Sequence, residues 1–357
     1  MTLKILVLIP SLHRGGAERV VSLLTQEWVK KHEVKLAVFD ASNLAYAHGG
    51  DLIDLGLSAH KGYLGKGIQA IRRVIRLVFF FRSERADRII SFMESANFPC
   101  TLAATFTGMR SLLWVSVRND PYHFSSIYKF FIPIFYRLPE KVVAVSNGVA
   151  QALAAMGVPK NKLINIPNPA PLNAPDLSVP VGKPIDAPEH YLLAVGRLHF
   201  QKGFDRLIEA FAQLDDKRLY LVILGEGKER NQLMEHAVAL GVGNRLIMPG
   251  TQADVWPWYR NALCFVLSSR YEGWPNVIME AMSQGCPVVA SDCNYGPSEI
   301  IAHGVNGLLV APDSLYELRD AINRLLQDEI MLKKFSEDGL RSIRGYSIDI
   351  IASKWVQ

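Results

Sequence analysis

The chain alternates short apolar runs with longer helix-like segments along its whole length, and this alternation limits its fold more than any other feature. Each run has the length of a buried strand, and each intervening segment is long enough for a crossover helix. The pattern therefore predicts parallel α/β structure. The predicted strands are residues 4–10, 34–40, 87–93, 112–118, 141–146, 191–196, 219–225, 246–250, 264–269 and 287–292.

A proline-rich stretch divides the chain near its middle. Residues 166–188 contain seven of the nineteen prolines, and proline disfavours both helix and central strand. We therefore predict Rossmann-like domains at 1–168 and 191–345, joined by a linker at 169–190. Two such domains would face an interdomain cleft, which is a common place for a ligand.

Composition excludes several classes of protein. The chain has 357 residues, a net charge of +5 and 49% hydrophobic residues, which is typical of a soluble globular protein. No apolar run reaches the roughly 18 residues of a membrane span. The four cysteines lack metal or redox spacing, which favours a cytoplasmic protein with reduced thiols. The nearest match to a dinucleotide fingerprint, GEGKER (225–230), lacks its third glycine, so hydride transfer is disfavoured.

Two cations follow the first predicted strand of the second domain. Arg197 and Lys202 lie in the loop of AVGRLHFQKGF (194–204), at the carboxyl end of a strand, where open α/β sheets bind ligands. Solvated loop charge is the ordinary explanation for Lys and Arg. At this position, however, the pair favours a diphosphate site.

Two glutamates flank a turn in SRYEGWPNVIMEAMSQG (269–285). Pro275 is typical of a helix start, so backbone amides near Asn276 and Val277 could bind phosphate. Glu280, one turn further on, could accept hydrogen bonds from a ribose diol, and Glu272 precedes the helix, where a sugar would begin. A helix-dipole partner and a loop salt bridge would explain each glutamate singly, but not the pair together with both cations.

The combination of GR-x4-KG and E-x7-E resembles the family-4 retaining glycosyltransferases of the GT-B fold. PSLHRGGAERVV (10–21) is similar to the glycine-rich loop of that family, and YSIDIIASKW (346–355) resembles its C-terminal helix, which crosses back to the N-terminal domain. The resemblance implies that residues 346–357 pack on the first domain. Gly15 and Gly16, which allow close approach of a phosphate or sugar to the first helix, are predicted to contact the donor.

The resemblance also implies roles for the site residues. Arg197 and Lys202 would neutralise the donor diphosphate, Glu280 would hold the ribose, and Glu272 would lie against the transferred sugar. We expect a UDP-sugar donor, transfer of a hexose or N-acetylhexosamine with retention, and no metal or other cofactor. The expected acceptor is a lipid-linked or cell-envelope glycan at the cytoplasmic face of the inner membrane. A sugar-nucleotide epimerase of the same fold and a non-catalytic nucleotide-sugar-binding protein are the alternatives.

One segment departs from the family. Many members carry a histidine after the fourth predicted strand, where this chain reads WVSVRNDPYH (114–123). Arg118, Asn119 and Asp120 are predicted instead to shape the acceptor site. His123 is interpreted as a surface residue.

A basic segment covers residues 61–88. Its eight basic and two acidic residues give it a net charge of +6. Arg72, Arg73 and Arg76 are predicted to share one helical face, followed by three phenylalanines at 79–81. A helix packed on the core and a helix that binds anionic lipid or a lipid diphosphate are about equally favoured. A nucleic-acid site is disfavoured, because no nucleic-acid motif accompanies the charge.

Overall fold

The computed structural model describes residues 2–57, 63–172 and 181–357. It divides into two compact units: unit 1 is Met1–Pro169 with Ile348–Gln357, and unit 2 is Ala170–Ser347. Part of the predicted linker, 173–180, lies outside the described residues, as do residues 61 and 62 of the basic segment.

Unit 1 is built on a seven-stranded parallel sheet with the order β3-β2-β1-β4-β5-β6-β7. Because β1 and β4 are neighbours while the chain winds outward on either side of them, the sheet has a topological switch point between these two strands. The strands are β1 (Lys4–Ser11), β2 (Glu33–Asp40), β3 (Asp51–Asp54), β4 (Arg88–Phe92), β5 (Leu113–Val117), β6 (Lys141–Ala144) and β7 (Leu163–Asn165). The helices are α1 (Gly16–Trp28), α2 (Tyr63–Glu84), α3 (Glu94–Thr107), α4 (Ser126–Phe135) and α5 (Asn147–Ala155).

Unit 2 repeats this winding in a six-stranded parallel sheet with the order β10-β9-β8-β11-β12-β13. Its switch point lies between β8 and β11. The strands are β8 (Tyr191–Val195), β9 (Tyr220–Leu224), β10 (Leu246–Gly250), β11 (Cys264–Leu267), β12 (Val288–Ser291) and β13 (Leu308–Val310). The helices are α6 (Phe204–Ala212), α7 (Arg230–Ala239), α8 (Trp256–Asn261), α9 (Asn276–Ser283), α10 (Pro297–Ile300), α11 (Leu315–Gln327) and α12 (Glu329–Ser342).

The fold class predicted from the sequence, two Rossmann-like units with parallel sheets, is confirmed. Every predicted strand is present, with ends that differ by one or two residues. The strands β3, β7 and β13 were not predicted from the sequence; they are short and lie at sheet edges. Edge strands bury fewer side chains than central ones, so their apolar runs are shorter and harder to recognise.

The C-terminal segment belongs to unit 1. Helix α13 (Ile348–Lys354) packs against α1, and the Trp28 indole N–H donates to the Ala352 carbonyl at 3.0 Å. Trp355 is fully buried, and its ring centroid lies 5.2 Å from that of Phe92 and 6.5 Å from that of Trp114. Burial of such a large side chain anchors the chain end in this unit.

Candidate active site

The switch point of unit 2 brings two loops together. One loop follows β8 and contains Arg197 and Lys202, and the other follows β11 and contains Glu272. Because β8 and β11 are adjacent and parallel, their carboxyl ends lie at the same edge of the sheet. Residues 70 positions apart in sequence are thus neighbours in space.

Two glycines shape the loop after β8. A Cβ at Gly196 would come within 3.1 Å of the Lys202 side chain, so the missing side chain leaves room for the lysine. Gly203 has a φ of +62°, and a Cβ there would strike the Ser268 carbonyl oxygen. This second glycine therefore allows the turn Phe200–Lys202 to approach the end of β11.

Lys202 and Glu272 form an ion pair with 2.6 Å between Nζ and Oε1. The same carboxylate oxygen accepts a hydrogen bond from Ser269 Oγ at 2.7 Å. Only 16% of the lysine side chain and 8% of the glutamate side chain are exposed. The pair thus holds an ammonium group in a fixed, poorly solvated position at the edge of the sheet.

Further contacts fasten the two loops to each other. The Arg270 guanidinium donates to both carboxylate oxygens of Asp205, at 2.8 and 2.5 Å, and to the Phe200 carbonyl oxygen at 2.8 Å. The hydrogen bond to Asp205 raises the pKa of Arg270. Gln201 Nε2 donates to the Tyr271 carbonyl oxygen at 3.0 Å. The position of Lys202 is therefore fixed by several contacts between the two loops as well as by its ion pair.

Helix α9 begins directly after the second loop. Pro275 caps it without a side-chain hydrogen bond, so the first amides, at Asn276 and Val277, lie at a helix start that no cap side chain covers. Glu280 is 6% exposed, and its Oε2 accepts the Tyr259 hydroxyl hydrogen bond at 3.0 Å. The predicted helix start therefore agrees with the structure.

Arg197 differs from the other site residues in being exposed. Its side chain makes no hydrogen bond or ion pair with another residue of the described chain. The loops of unit 2 thus present an exposed cation, a cation held in an ion pair, a helix start and two buried carboxylates. The cations and amides suit phosphate oxygens, and the carboxylates suit sugar hydroxyls.

In unit 1, Gly15 precedes α1 and Gly16 begins it, at the carboxyl end of β1. Gly15 is extended rather than left-handed, with φ −174°. The Glu18 carboxylate occupies the space that a Cβ at Gly15 would need. The gap that the sequence analysis assigned to a phosphate or sugar is thus taken by an acidic side chain at the helix start, which is a favourable place for it.

Arg118, Asn119 and Asp120 follow β5. Asp120 is fully buried, caps the turn Pro121–His123, and has Oδ2 at 2.9 Å from His123 Nδ1. Asn119 Oδ1 accepts a hydrogen bond from the Asp120 amide at 2.9 Å. Asp120 therefore shapes its own loop. His123, which it contacts, is exposed, as the interpretation of a surface residue requires.

The three arginines of α2 do not share one face. Arg72 and Arg76 are exposed, whereas Arg73 turns inward: its guanidinium donates to the Ser95 and Leu57 carbonyl oxygens and lies 4.4 Å from the centroid of the Phe39 ring. The prediction that all three line a single surface is wrong, because consecutive residues on a helix diverge by about 100°.

The partners that hold the motif residues were not predicted from the sequence. Tyr259, Ser269 and the pair of Arg270 with Asp205 complete the site, yet none stands out in the sequence. Tyr259 lies in the short helix α8, 21 positions before Glu280. Arg270 could have been suspected from its position two residues before Glu272.

Comparisons with known proteins agree with this arrangement. The family model of glycosyltransferase family 4 matches residues 14–173, and that of the group 1 glycosyl transferases matches residues 180–341. The two matches together cover most of the chain. The site and the matches define a glycosyltransferase. The chain belongs to the family-4 glycosyltransferases, as its sequence motifs indicated.

Three relatives illustrate the range of similar proteins. An exopolysaccharide phosphotransferase of Streptomyces coelicolor is 32% identical over 62% of this chain, which spans about a quarter (24%) of that protein's length. The amylovoran biosynthesis glycosyltransferase AmsD of Erwinia amylovora is 24% identical, over 99% of this chain and 98% of its own. A Campylobacter jejuni α-1,4-N-acetyl-D-galactosaminyltransferase, named for a diphospho-undecaprenol-linked substrate, is also 24% identical, with the same shares covered.

Solved structures support the fold. HepE of Anabaena, in complex with UDP and glucose, superposes with a TM-score of 0.81 at 21% identity, covering 99% of this chain and 98% of its own. A glycosyltransferase from Rickettsia africae also has a TM-score of 0.81, at 17% identity, with 99% and 97% covered. The predicted GT-B fold is therefore confirmed. Within the described residues, no helix is both long enough and apolar enough to span a bilayer.

Proposed function

We propose that the protein transfers a hexose or N-acetylhexosamine, with retention of anomeric configuration, from a UDP-sugar to a glycan of the bacterial cell envelope. The fixed Lys202–Glu272 pair beside the start of α9 is the observation that carries this proposal. The names of the similar proteins support it: AmsD acts in amylovoran biosynthesis, and HepE was solved with UDP.

The residues of unit 2 bind the donor in this proposal. Arg197 and Lys202 contact the diphosphate together with the amides of Asn276 and Val277. Glu280, oriented by the Tyr259 hydroxyl, accepts hydrogen bonds from the ribose. Glu272 lies where the transferred sugar begins.

Charge stabilisation performs most of the catalysis. As the bond between the anomeric carbon and the diphosphate breaks, negative charge grows on the leaving diphosphate and the sugar becomes oxocarbenium-like. Lys202 already occupies its position, because Glu272 and the loop contacts hold it, so little reorganisation is needed in the transition state. Arg197 can follow the diphosphate as it moves, since its side chain is exposed. We propose that these cations take the place of a metal and that the transferase needs no cofactor.

Unit 1 binds the acceptor in this proposal, at the carboxyl edge of its sheet. Gly15 and Gly16 face this edge after β1, and Arg118, Asn119 and Asp120 face it after β5. If Gly15 or Gly16 contacts the donor, as the two glycines at the helix start predict, the Glu18 carboxylate must first move away from Gly15.

An exposed apolar surface on unit 1 supports a lipid-linked acceptor. Helix α2 packs along α3, and α3 packs against α4. The following apolar side chains of the three helices are at least half exposed: Ile68, Ile71, Ile75, Phe79, Phe106, Ile127, Phe130 and Ile134. Arg72 and Arg76 lie among them on α2. An apolar surface with interspersed arginines suits the interface of an anionic membrane.

Acceptor-dependent release of UDP tests the function. The purified protein is incubated in EDTA with a panel of UDP-sugars and undecaprenyl-diphosphate-linked oligosaccharides, and products are identified by mass spectrometry. We expect UDP and an extended glycan in equal amounts, with the anomeric signal of the new sugar matching that of the donor. UDP-sugar interconversion without transfer would indicate an epimerase, and UDP binding without either product would indicate a binding protein.

A further inference from the structure

Arg118 of unit 1 carries a charge that no carboxylate among the described residues balances. Its terminal nitrogens donate to two neutral side chains, Ser116 Oγ at 3.2 Å and Asn168 Oδ1, and its guanidinium lies 5.5 Å from the centroid of the Phe92 ring. Its Nε is buried and has no hydrogen-bond partner in the described chain. Removal from water lowers the pKa of Arg118 to about 9, and no nearby carboxylate offsets this effect.

Two partly buried arginines of unit 2 are each paired with a carboxylate. Arg270 donates to both oxygens of Asp205, and Arg206 forms an ion pair with Asp313 at 2.6 Å. A guanidinium taken from water without a counter-charge costs free energy that such pairs offset. Perturbed groups of this kind cluster at binding sites, where a ligand can supply the missing charge.

The position of Arg118 agrees with a ligand site. It directly follows β5, at the carboxyl edge of a parallel sheet, and β5 is the neighbour of β4, which borders the switch point. Ser116 and Asn168, which are 0% and 5% exposed, hold the guanidinium in place. A positioned guanidinium fork matches the paired oxygens of a carboxylate or a phosphate.

We propose that Arg118 binds an anionic group of the acceptor, either the carboxylate of a sugar acid or a phosphate, and so makes the enzyme selective for acidic acceptors. This inference rests on the proposed function, because it takes unit 1 as the acceptor side. It goes further because it predicts that the acceptor carries a negative charge and names Arg118 as the residue that binds the charged group.

Binding of small probes tests the inference. Methyl β-D-glucuronide and α-D-glucose 1-phosphate are titrated calorimetrically into the full chain at low salt, with methyl β-D-glucoside as the neutral comparison. Each titration is run with saturating UDP, so that the donor site is filled, and again without UDP. We expect one acidic probe to bind at least about tenfold more tightly than the glucoside, the scale of one charge-assisted hydrogen bond. The preferred probe shows whether the group is a carboxylate or a phosphate.

Three variants make the test specific. Arg118→Gln should lose the preference, whereas Arg118→Lys, which keeps the charge without the fork, should retain part of it. Arg88→Gln is the matched control. Arg88 also stacks on a ring, that of Trp114 at 4.2 Å, and donates to backbone carbonyls, but it begins β4 at the opposite edge of the sheet. It should leave the preference unchanged.

The outcomes separate this inference from the proposed function. A preference that survives in Arg118→Gln, or a wild type that binds neither acidic probe more tightly than the glucoside, overturns the inference. So does a tenfold loss of UDP affinity in Arg118→Gln, which would assign the arginine to the donor. If Arg118→Gln does not fold, Arg118→Lys is used in its place. A preference for the acidic probe in Arg118→Lys that equals that of the wild type then overturns the inference. If the wild type does not bind UDP, only the proposed function is contradicted. The titrations without UDP still show whether Arg118 gives the protein a preference for the acidic probes.

Discussion

The two buried glutamates of unit 2 have different neighbours, and this difference separates their roles. Glu272 contacts a cation, Lys202, and a hydroxyl group, that of Ser269. Glu280 contacts the Tyr259 hydroxyl, within the helix layer. In the proposed mechanism, Glu272 acts where charge develops during transfer, and Glu280 acts on a part of the donor that does not change.

Substitution of Glu280 should therefore mainly weaken UDP binding, whereas substitution of Glu272 should mainly lower turnover. We expect Glu280→Gln and Tyr259→Phe to weaken UDP binding by about tenfold, the scale of a lost hydrogen bond to a charged group. We expect Glu272→Gln to lower turnover by about a hundredfold, because Lys202 loses its positioning partner. Calorimetry with UDP and rates at saturating donor measure the two effects. Glu209→Gln, which alters a partly exposed pair with His236, is the control. A larger loss of UDP affinity in Glu272→Gln than in Glu280→Gln would reverse the roles.

Glu94 makes the stability of unit 1 depend on pH. It begins α3 with Oε1 buried and without a hydrogen-bond partner in the described chain, and burial raises its pKa to about 7. The pKa of this carboxyl group is higher in the folded protein than in the unfolded chain. Its contribution to the free energy of unfolding is therefore fully present when the pH is below the unfolded pKa. This contribution is lost as the pH rises through 7.

The corresponding prediction concerns urea unfolding between pH 5 and pH 8. Wild type should lose up to about 3 kcal/mol of unfolding free energy relative to Glu94→Gln over this range, because burial raises the pKa of Glu94 from 4.5 to about 7 and each pH unit between these values is worth about 1.36 kcal/mol. The Gln variant keeps the neutral form at every pH. A difference between the two proteins that is constant with pH would show that Glu94 does not titrate in this range.

At the scale of single elements, α2 shows what a sequence pattern can and cannot establish. Its composition indicated an amphipathic helix with basic residues, but not which side faces the core. Phe80 and Phe81 are buried with Leu77, whereas Phe79 is exposed in line with Ile71 and Ile75. The helix thus has two apolar stripes, and the packing of unit 1 decides which one is covered. Only contacts from distant parts of the chain supply that information.

The exposed stripe should bind anionic membranes. We expect Arg72→Gln with Arg76→Gln to weaken co-sedimentation with anionic liposomes by about 1 kcal/mol per arginine. Ile71→Ser with Ile75→Ser should weaken it through lost apolar burial, and added salt should weaken binding of the wild type. Ile330→Ser, which changes an 83% exposed isoleucine of unit 2, is the control. Equal co-sedimentation of all variants would leave α2 without a membrane role.

In the whole molecule, both units have the same order of parallel strands, and this order explains why motifs that are distant in sequence lie close together in unit 2. The sequence places Arg197, Lys202 and Glu272 after strands, and parallel structure implies that strand ends share an edge. It does not reveal that β8 and β11 are neighbours, because the order of strands depends on long-range pairing. Nor does it reveal Tyr259 or Ser269, whose contacts arise only when α8 and the loop after β11 pack around the motif residues.

The chain leaves unit 1 after Pro169 and re-enters it at Ile348. The buried side chain of Trp355 anchors this C-terminal segment in unit 1. We expect Trp355→Ala to destabilise unit 1 by about 3–5 kcal/mol, the cost of deleting a fully buried tryptophan. Urea unfolding followed by circular dichroism measures this change. Ile350→Ala, in the helix that directly precedes Trp355 but 42% exposed, should cost far less. A small effect of Trp355→Ala would mean that α13 adds little to the stability of the unit.

The central claim is that the loops at the switch point of unit 2 hold the diphosphate of a UDP-sugar, and a comparison of UDP with uridine tests it most directly. Calorimetric titration of the wild type should show UDP binding at least about a hundredfold more tightly than uridine, because two cations and a helix start contact the phosphates. Arg197→Ala and Lys202→Ala should each remove much of this difference and leave the affinity for uridine unchanged. The account is contradicted if UDP and uridine bind equally, or if both variants keep the full preference of the wild type for UDP.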